Sequence, residues 1–230
     1  MSEILMTSTF FGVTVSLLTY MLGVWLKKKL KFGFLNPLLI SIIVTIIVVV
    51  VCKMDYNTYY EGAKYISYLL TPATVCLAIP LYEQLEQLKR HWKAIVAGIL
   101  SGVITSLLCV LIMAILFGLT HETYVTLLPK SITTAIGMGV SEELGGVTSI
   151  TAAVIIVTGV FGNVIGDLVL KLFRIREPVA KGVALGTSAH AIGTSKAMEL
   201  GEVEGAMSSL SIAVAGLLTV IGASVFAMFW

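Results

Sequence analysis

The chain has 230 residues, 57% of them hydrophobic and only 12% charged, with a formal net charge of +2. An ordinary soluble domain carries roughly 25% charged residues, so a composition this poor in charge cannot cover a water-facing surface. The basic residues sit in short clusters beside apolar runs and form no extended patch, so nothing points to nucleic acid as a partner.

In chain order, uncharged apolar runs cover residues 4–26, 32–52, 65–82, 94–120 and 206–230. Each meets or nearly meets the roughly 20 residues that a helix needs to cross the hydrocarbon core. The first run is too long for a signal peptide and lacks a basic n-region and a small-residue cleavage site, so it reads as a retained helix. Three further stretches are less pure: 124–140 contains Lys130, 147–170 contains Asn163 and Asp167, and 182–197 contains His190 and Lys196. Cys52, Cys76 and Cys109 lie in or at the ends of apolar runs, odd in number and far apart, as expected of inert thiols.

Short cytoplasmic loops are enriched in lysine and arginine. Lys27, Lys28, Lys29 and Lys31 therefore place the first loop inside, and counting forward places the Lys89, Arg90, His91, Lys93 cluster inside as well. The basic segment from Lys171 to Lys181 belongs inside too, yet three apolar stretches separate it from Lys93. One of the three should not cross. The best candidate is 124–140, which holds Pro129, Lys130, several hydroxyls and two glycines, and is expected to be re-entrant or a broken helix.

An internal match supports pairing this segment with a second. At a shift of 56 residues, Ala135-Ile136-Gly137 falls on Ala191-Ile192-Gly193, Glu143-Leu144-Gly145 on Glu199-Leu200-Gly201, and Val147 on Val203. Each unit is a polar, glycine-rich segment followed by a long apolar helix. If the first enters from outside and its helix crosses once, the second starts inside, which makes an inverted repeat of the kind found in secondary transporters.

The expected fold class is therefore an all-α integral membrane protein, a multi-pass bundle with about six full crossings. Two opposed re-entrant or broken helices should meet near its midplane. The whole of 1–230 forms one transmembrane domain, with N-terminal helices in 1–123 and the inverted-repeat core in 124–230.

The two segments carry the candidate site. The first offers Ser131, Thr133 and Thr134, with Gly137 and Gly139 allowing close backbone approach; the second offers Thr187, Ser188, His190, Gly193, Thr194 and Ser195. Half-helix N-termini at such breaks favour an anion, and Lys130 and Lys196 stand ready as anion partners, so a small carboxylate is the expected ligand. His190 is either a proton carrier or a hydrogen-bonded structural histidine. Glu143 and Glu199 are either coupling carboxylates or segment ends at the water boundary. Asp167 is either paired with Lys171 one turn on or part of a polar lining face with Asn163. The pairs Gly98/Gly102, Gly162/Gly166 and Gly182/Gly186 have the spacing of helix-packing devices. No metal spacing, nucleotide loop or catalytic triad is present in the sequence, so neither an enzyme nor a cofactor is expected.

The runs YLLTPATVCLAIPLYEQ (68–84), LLPKSITTAIGMGVSEELGGV (127–147) and KLFRIREPVAKGVALGTSAHAIGTSKAMELGEVEGAMSSL (171–210) closely resemble the LrgB/CidB family of bacterial membrane proteins. The likeness spans nearly the whole chain, and Glu142-Glu143 stand where other members often have a less acidic pair. The resemblance implies a multi-pass protein of the bacterial plasma membrane acting with a small LrgA/CidA-type membrane partner. It implies one of two roles: a holin- or antiholin-like regulator of murein hydrolase activity and cell lysis, or a transporter of small carboxylates such as pyruvate or, as in a related plastid carrier, glycolate and glycerate. Paired polar breaks are superfluous for a lesion former, which favours transport, and the small-residue faces suit homo-oligomers within the lipid bilayer.

Overall fold

The computed structural model describes residues 10–30, 37–76 and 78–230, and throughout these the protein is helical with connecting turns. The start of the first apolar run, Lys31 and the start of the second run lie outside the described residues. The chain divides into two compact units, 1–76 and 77–230.

In the first unit, α1 (Phe11–Leu30) packs on α2 (Pro37–Val51) and α3 (Tyr56–Ser67). Contact is close because the facing positions are small: a Cβ on Gly12 would stand 2.4 Å from the Tyr59 carbonyl, and one on Gly23 would stand 2.5 Å from that of Pro37. Hydroxyls join these helices, Thr19 Oγ1 lying 3.0 Å from both Ser41 Oγ and Thr45 Oγ1. Such bonds hold apolar helices together where burial of apolar surface gives no preference for protein over lipid.

The expected crossing over 65–82 is not one helix. The chain there runs as the end of α3, then α4 (Leu70–Cys76) and α5 (Ala78–Glu83). Proline accounts for the interruption at Tyr68-Leu69, since it removes the amide that would bond the carbonyl four residues back, while residue 77, between α4 and α5, lies outside the described residues. Pro72 offers the Tyr68 carbonyl no amide, and α3 ends at Ser67 with Tyr68 as its cap. A count of crossings that passes through this run therefore has no continuous third span to rest on.

In the second unit, α6 (Leu85–Phe117) spans 33 residues, about 50 Å. It buries Ile95, Ile99, Val103, Leu107, Val110 and Ala114, a stripe of helical period, while Leu108, Ile112, Ile115 and Leu116 face outward. α6 joins α7 (His121–Leu127), α8 (Thr134–Glu143), α9 (Thr148–Leu172), α10 (Pro178–Leu200) and α11 (Glu202–Phe226), which ends in a 3-10 turn at Ala227–Phe229. Among the described residues, three helices are long and apolar enough to cross a membrane: Leu85–Phe117, Thr148–Leu172 and Glu202–Phe229.

The ends of these helices align through specific contacts. Tyr124 donates its hydroxyl to the Phe226 carbonyl at 2.8 Å, and the Trp230 indole donates to the Leu119 carbonyl at 2.8 Å, so α6 and α11 finish at one end of the unit, where α7 begins. At the other end, His91 near the start of α6 and Glu177 just before α10 line one cleft, which brings the basic clusters around Lys89 and Arg174 to the same end.

Candidate functional site

Both polar segments are broken helices that fold back on themselves. In the first, α7 stops at Leu127, residues 128–133 turn, and Thr133 is extended (φ −64°, ψ 144°) before α8 starts. Pro129 lies just past the end of α7, where continuing the helix would lack its amide donor. The returning limb comes back to its starting level, for the Val147 amide donates to Thr126 Oγ1 at 2.8 Å and Thr151 Oγ1 donates to the Thr126 carbonyl at 2.9 Å.

The second break has no proline. It falls at Ala189 (φ −131°, ψ 17°) and His190 (φ 42°, ψ −135°) within α10. Three hydroxyls bond carbonyls four residues back, Thr187 to Val183, Ser188 to Ala184 and Thr194 to His190. Bonds of this kind compete with the helical ladder and bend helices. A Cβ on Gly193 would stand 2.4 Å from the Leu185 carbonyl, whereas a continuous helix would hold residues eight apart about 12 Å from one another. Lys196 on the returning limb pairs with Asp167 of α9 at 3.0 Å. The 56-residue shift carries Thr133 and Thr134 onto Ala189 and His190, so the two breaks fall at matching positions.

Glycines of α9 and α10 make the second fold-back close enough to hold. A Cβ on Gly162 would stand 2.5 Å from that of Ala189, and one on Gly166 would stand 2.8 Å from Leu185 Cδ2. On the opposite face, Gly182 and Gly186 meet the carbonyls of Glu204 and Ser208.

The turns of both hairpins reach α6. A cleft of about 350 Å³ is lined there by Lys130 and Ser131 from the first, Thr187 and Ser188 from the second, and Ser101, Gly102, Thr105, Ser106 and Cys109 from α6. Lys130 Nζ donates to Ser131 Oγ at 2.9 Å, and that oxygen lies 3.1 Å from Ser106 Oγ. Among the described residues Lys130 has no carboxylate partner. A larger groove of about 570 Å³ shares Ser101, Gly102 and Thr187 with this cleft and leads to His91 and Glu177 at the basic end. Along this groove α10 comes close to α6 because Gly98 and Gly102 bring no side chain against Val183 and Thr187, from which an added Cβ would stand 3.1 Å.

Of the residues singled out in the sequence, Lys130, Ser131, Thr187 and Ser188 meet in this cleft. The others lie elsewhere. Thr133 and Thr134 are half-buried at the start of α8, Gly137 packs on Ile155, and Gly193 packs on Leu185. His190 is buried, and its Nε2 donates to the Ile155 carbonyl at 2.9 Å. Thr194 is buried against Ser208 at 2.7 Å, while Ser195 is exposed. Lys196 is held by Asp167 and also by Glu199 at 3.2 Å, and Asp167 pairs with Lys196 and not with Lys171. Glu143 is exposed.

Sequence reasoning missed the contribution of α6. Ser101, Thr105, Ser106 and Cys109 lay inside an apolar run, although hydroxyls at Ser101 and Thr105, one turn apart and next to Gly98 and Gly102, were a readable sign of a polar strip. It also passed over buried Glu204, which pairs with Lys181 at 3.6 Å. No group of three His, Cys, Asp or Glu side chains suited to a metal occurs among the described residues.

Comparison with known proteins assigns the chain to a family. The family model described as LrgB-like matches residues 16–229. The antiholin-like protein LrgB of Bacillus cereus (strain B4264) is 40% identical over 221 residues, covering 96% of each chain, and the protein of the same name from Bacillus anthracis (strain CDC 684 / NRRL 3495) matches to the same extent. No solved structure matches. With its apolar helices and a match running almost from end to end, this membrane protein belongs to the LrgB-like family.

Proposed function

We propose that the protein is a multi-pass, antiholin-like protein of the bacterial plasma membrane that restrains murein hydrolase activity and lysis, and that it is not an enzyme. The observation that carries this reading is the 40% identity, over 96% of both chains, to proteins named antiholin-like. A small LrgA/CidA-type membrane protein is its proposed partner, and the small-residue faces suit self-association. The test is deletion and re-expression in the native host, with murein hydrolase activity read by zymography and lysis by release of a cytoplasmic enzyme. Deletion should raise both, and re-expression should restore them; no change in either would reject the role.

A second reading is favoured by the cleft itself: transport of a small carboxylate such as pyruvate or glycolate. Lys130 supplies an ammonium without a carboxylate partner among the described residues, beside the Ser106 and Ser131 hydroxyls. A lysine away from the membrane surface costs about 3 kcal/mol, which a bound anion offsets. Thr187 and Ser188 donate to local carbonyls and would rotate to meet a ligand.

In this reading the whole chain is one transmembrane domain with its site in 124–230. The two fold-backs are re-entrant hairpins of an inverted repeat. Three observations support that arrangement: the matching positions of the breaks, the return of the first hairpin to Thr126 beside the start of α9, and the pairing of the second with Asp167 near its end. The groove running to His91 would admit substrate from the cytoplasmic side. His190, Glu143, Glu199 and Asp167 remain the candidates for coupling, with Thr133, Thr134, Gly137, Gly193 and Thr194 supporting the site. Uptake of labelled pyruvate, lactate and glycolate into proteoliposomes, with and without the partner, tests it. Absence of saturable uptake in both preparations would reject transport and leave the regulatory role standing.

A further inference from the structure

A second charged cavity lies away from the cleft, where α9 ends and the chain turns into α10. Its volume is about 360 Å³, and four cations line it: Lys171, Arg174, Arg176 and Lys181. Arg174 takes a left-handed backbone (φ 55°), which reverses the chain and sets the two arginines beside the end of the helix.

The charges here are unevenly compensated. Asp167, also on the wall, is taken by Lys196 at 3.0 Å, and Lys181 is taken by Glu204 at 3.6 Å. Lys171, Arg174 and Arg176 have no ion pair among the described residues and are exposed. Three uncompensated cations around one concavity make an anion site, and two guanidinium forks match the oxygens of a phosphate.

The surroundings indicate where that phosphate comes from. Leu170, Ile175 and Leu200 complete the lining, and Leu172 and Phe173 stand 72% and 69% exposed next to the cations. Apolar side chains so exposed beside a cationic cavity, at the end of a membrane-length helix, suit a molecule with a phosphate head and acyl chains. We infer that this cavity binds the phosphate of an anionic phospholipid headgroup. A lipid held there would tie the end of α9 to the start of α10 and to Leu200, where the second hairpin returns. Basic pockets between helices on the cytoplasmic side of membrane proteins hold headgroups on this principle.

The experiment uses the full chain in detergent, with lipid retention read by native mass spectrometry. The probes are dioleoylphosphatidylglycerol and dioleoylphosphatidylcholine. The wild type should retain the anionic lipid in preference. Lys171→Gln with Arg176→Gln should weaken that retention roughly thirtyfold, which is about 2 kcal/mol at 1.4 kcal/mol per decade and follows from about 1 kcal/mol per charge. Arg176→Lys, which keeps the charge, should retain most of it, and Lys28→Gln with Lys29→Gln, removing the same charge elsewhere, should leave it unchanged. Equal retention of the two lipids, or an equal loss in the Lys28/Lys29 variant, would overturn the site. Displacement of the lipid by an equal concentration of glycerol phosphate or inorganic phosphate would assign the cavity to a soluble phosphate and overturn the lipid.

Discussion

His190 holds its strained backbone by donating Nε2 to the carbonyl of Ile155, 35 residues earlier, at 2.9 Å. The ring fits because Gly159 faces it, and a Cβ there would stand 2.6 Å from His190 Cε1. A β-bearing residue at φ 42° stores backbone strain of order 1–3 kcal/mol, which the bond and the packing offset. The turn of the second hairpin is thus fixed to α9 by the His190 ring, and Asn163 of α9 adds a second tie by donating Nδ2 to the Ile192 carbonyl at 2.8 Å.

This relationship orders three variants. His190→Ala loses the bond, leaves the Ile155 carbonyl unmet and keeps the strain, so it should cost roughly 2–4 kcal/mol. His190→Gly loses the same bond but relieves the strain, and should be the more stable of the two by about 1 kcal/mol. Gly159→Ala should cost roughly 1–3 kcal/mol through overpacking. Equilibrium unfolding in mixed micelles measures all three, and equal stability of the alanine and glycine variants at 190 would remove strain from the account.

Asp167 and Lys196 should be coupled. Their side chains are 39% and 17% exposed, so the pair is partly screened, and a double-mutant cycle of Asp167→Asn and Lys196→Gln should give a coupling of roughly 1 kcal/mol. Lys171→Gln crossed with Asp167→Asn should give none. A coupling to Lys171 in place of Lys196 would mean that the returning limb does not lie along α9.

Cys109 is a native reporter of the cleft. In a Cys52→Ser, Cys76→Ser background it should react with a small methanethiosulfonate reagent, and millimolar pyruvate should slow the reaction severalfold if a carboxylate occupies the space beside Lys130. Lys130→Gln should abolish that protection while leaving the bare reaction rate. Protection that survives in Lys130→Gln would place the anion elsewhere.

Membrane topology is open to cysteine labelling from each side. Cysteines replacing Lys89 and Arg174 should label from the same face, and one replacing Glu122 from the other, because the first hairpin returns to its own end before α9 crosses. Labelling of Lys89 and Arg174 positions from opposite faces would remove the re-entrant arrangement.

Transport, where it occurs, should depend on the cleft. Ser188→Ala and Lys130→Gln should each lower pyruvate uptake at least tenfold with membrane insertion intact, whereas Ser195→Ala, at an exposed position outside the cleft, should not. His190→Ala should also lose uptake, through the turn it holds. Uptake unaffected by Lys130→Gln would make that lysine a structural group.

The apolar runs and the polar, glycine-rich character of 124–140 and 182–197 were legible because each depends on local composition: long uncharged stretches favour lipid, and proline, glycine and hydroxyl residues disturb helices over a few positions, whereas the breaks at 128–133 and 189–190 were located only by the structure. Pro72 carried the same local signal, and reading 65–82 as a single span gave mean hydropathy priority over it. Which polar groups meet was decided only by tertiary packing. Lys130 and Lys196 look alike as lysines in matched segments, yet α9 brings Asp167 to Lys196, while α6 brings Ser106 to the neighbour of Lys130. Contacts between residues tens of positions apart follow from how closely glycine-faced helices approach, and the order of residues along the chain does not encode that distance directly.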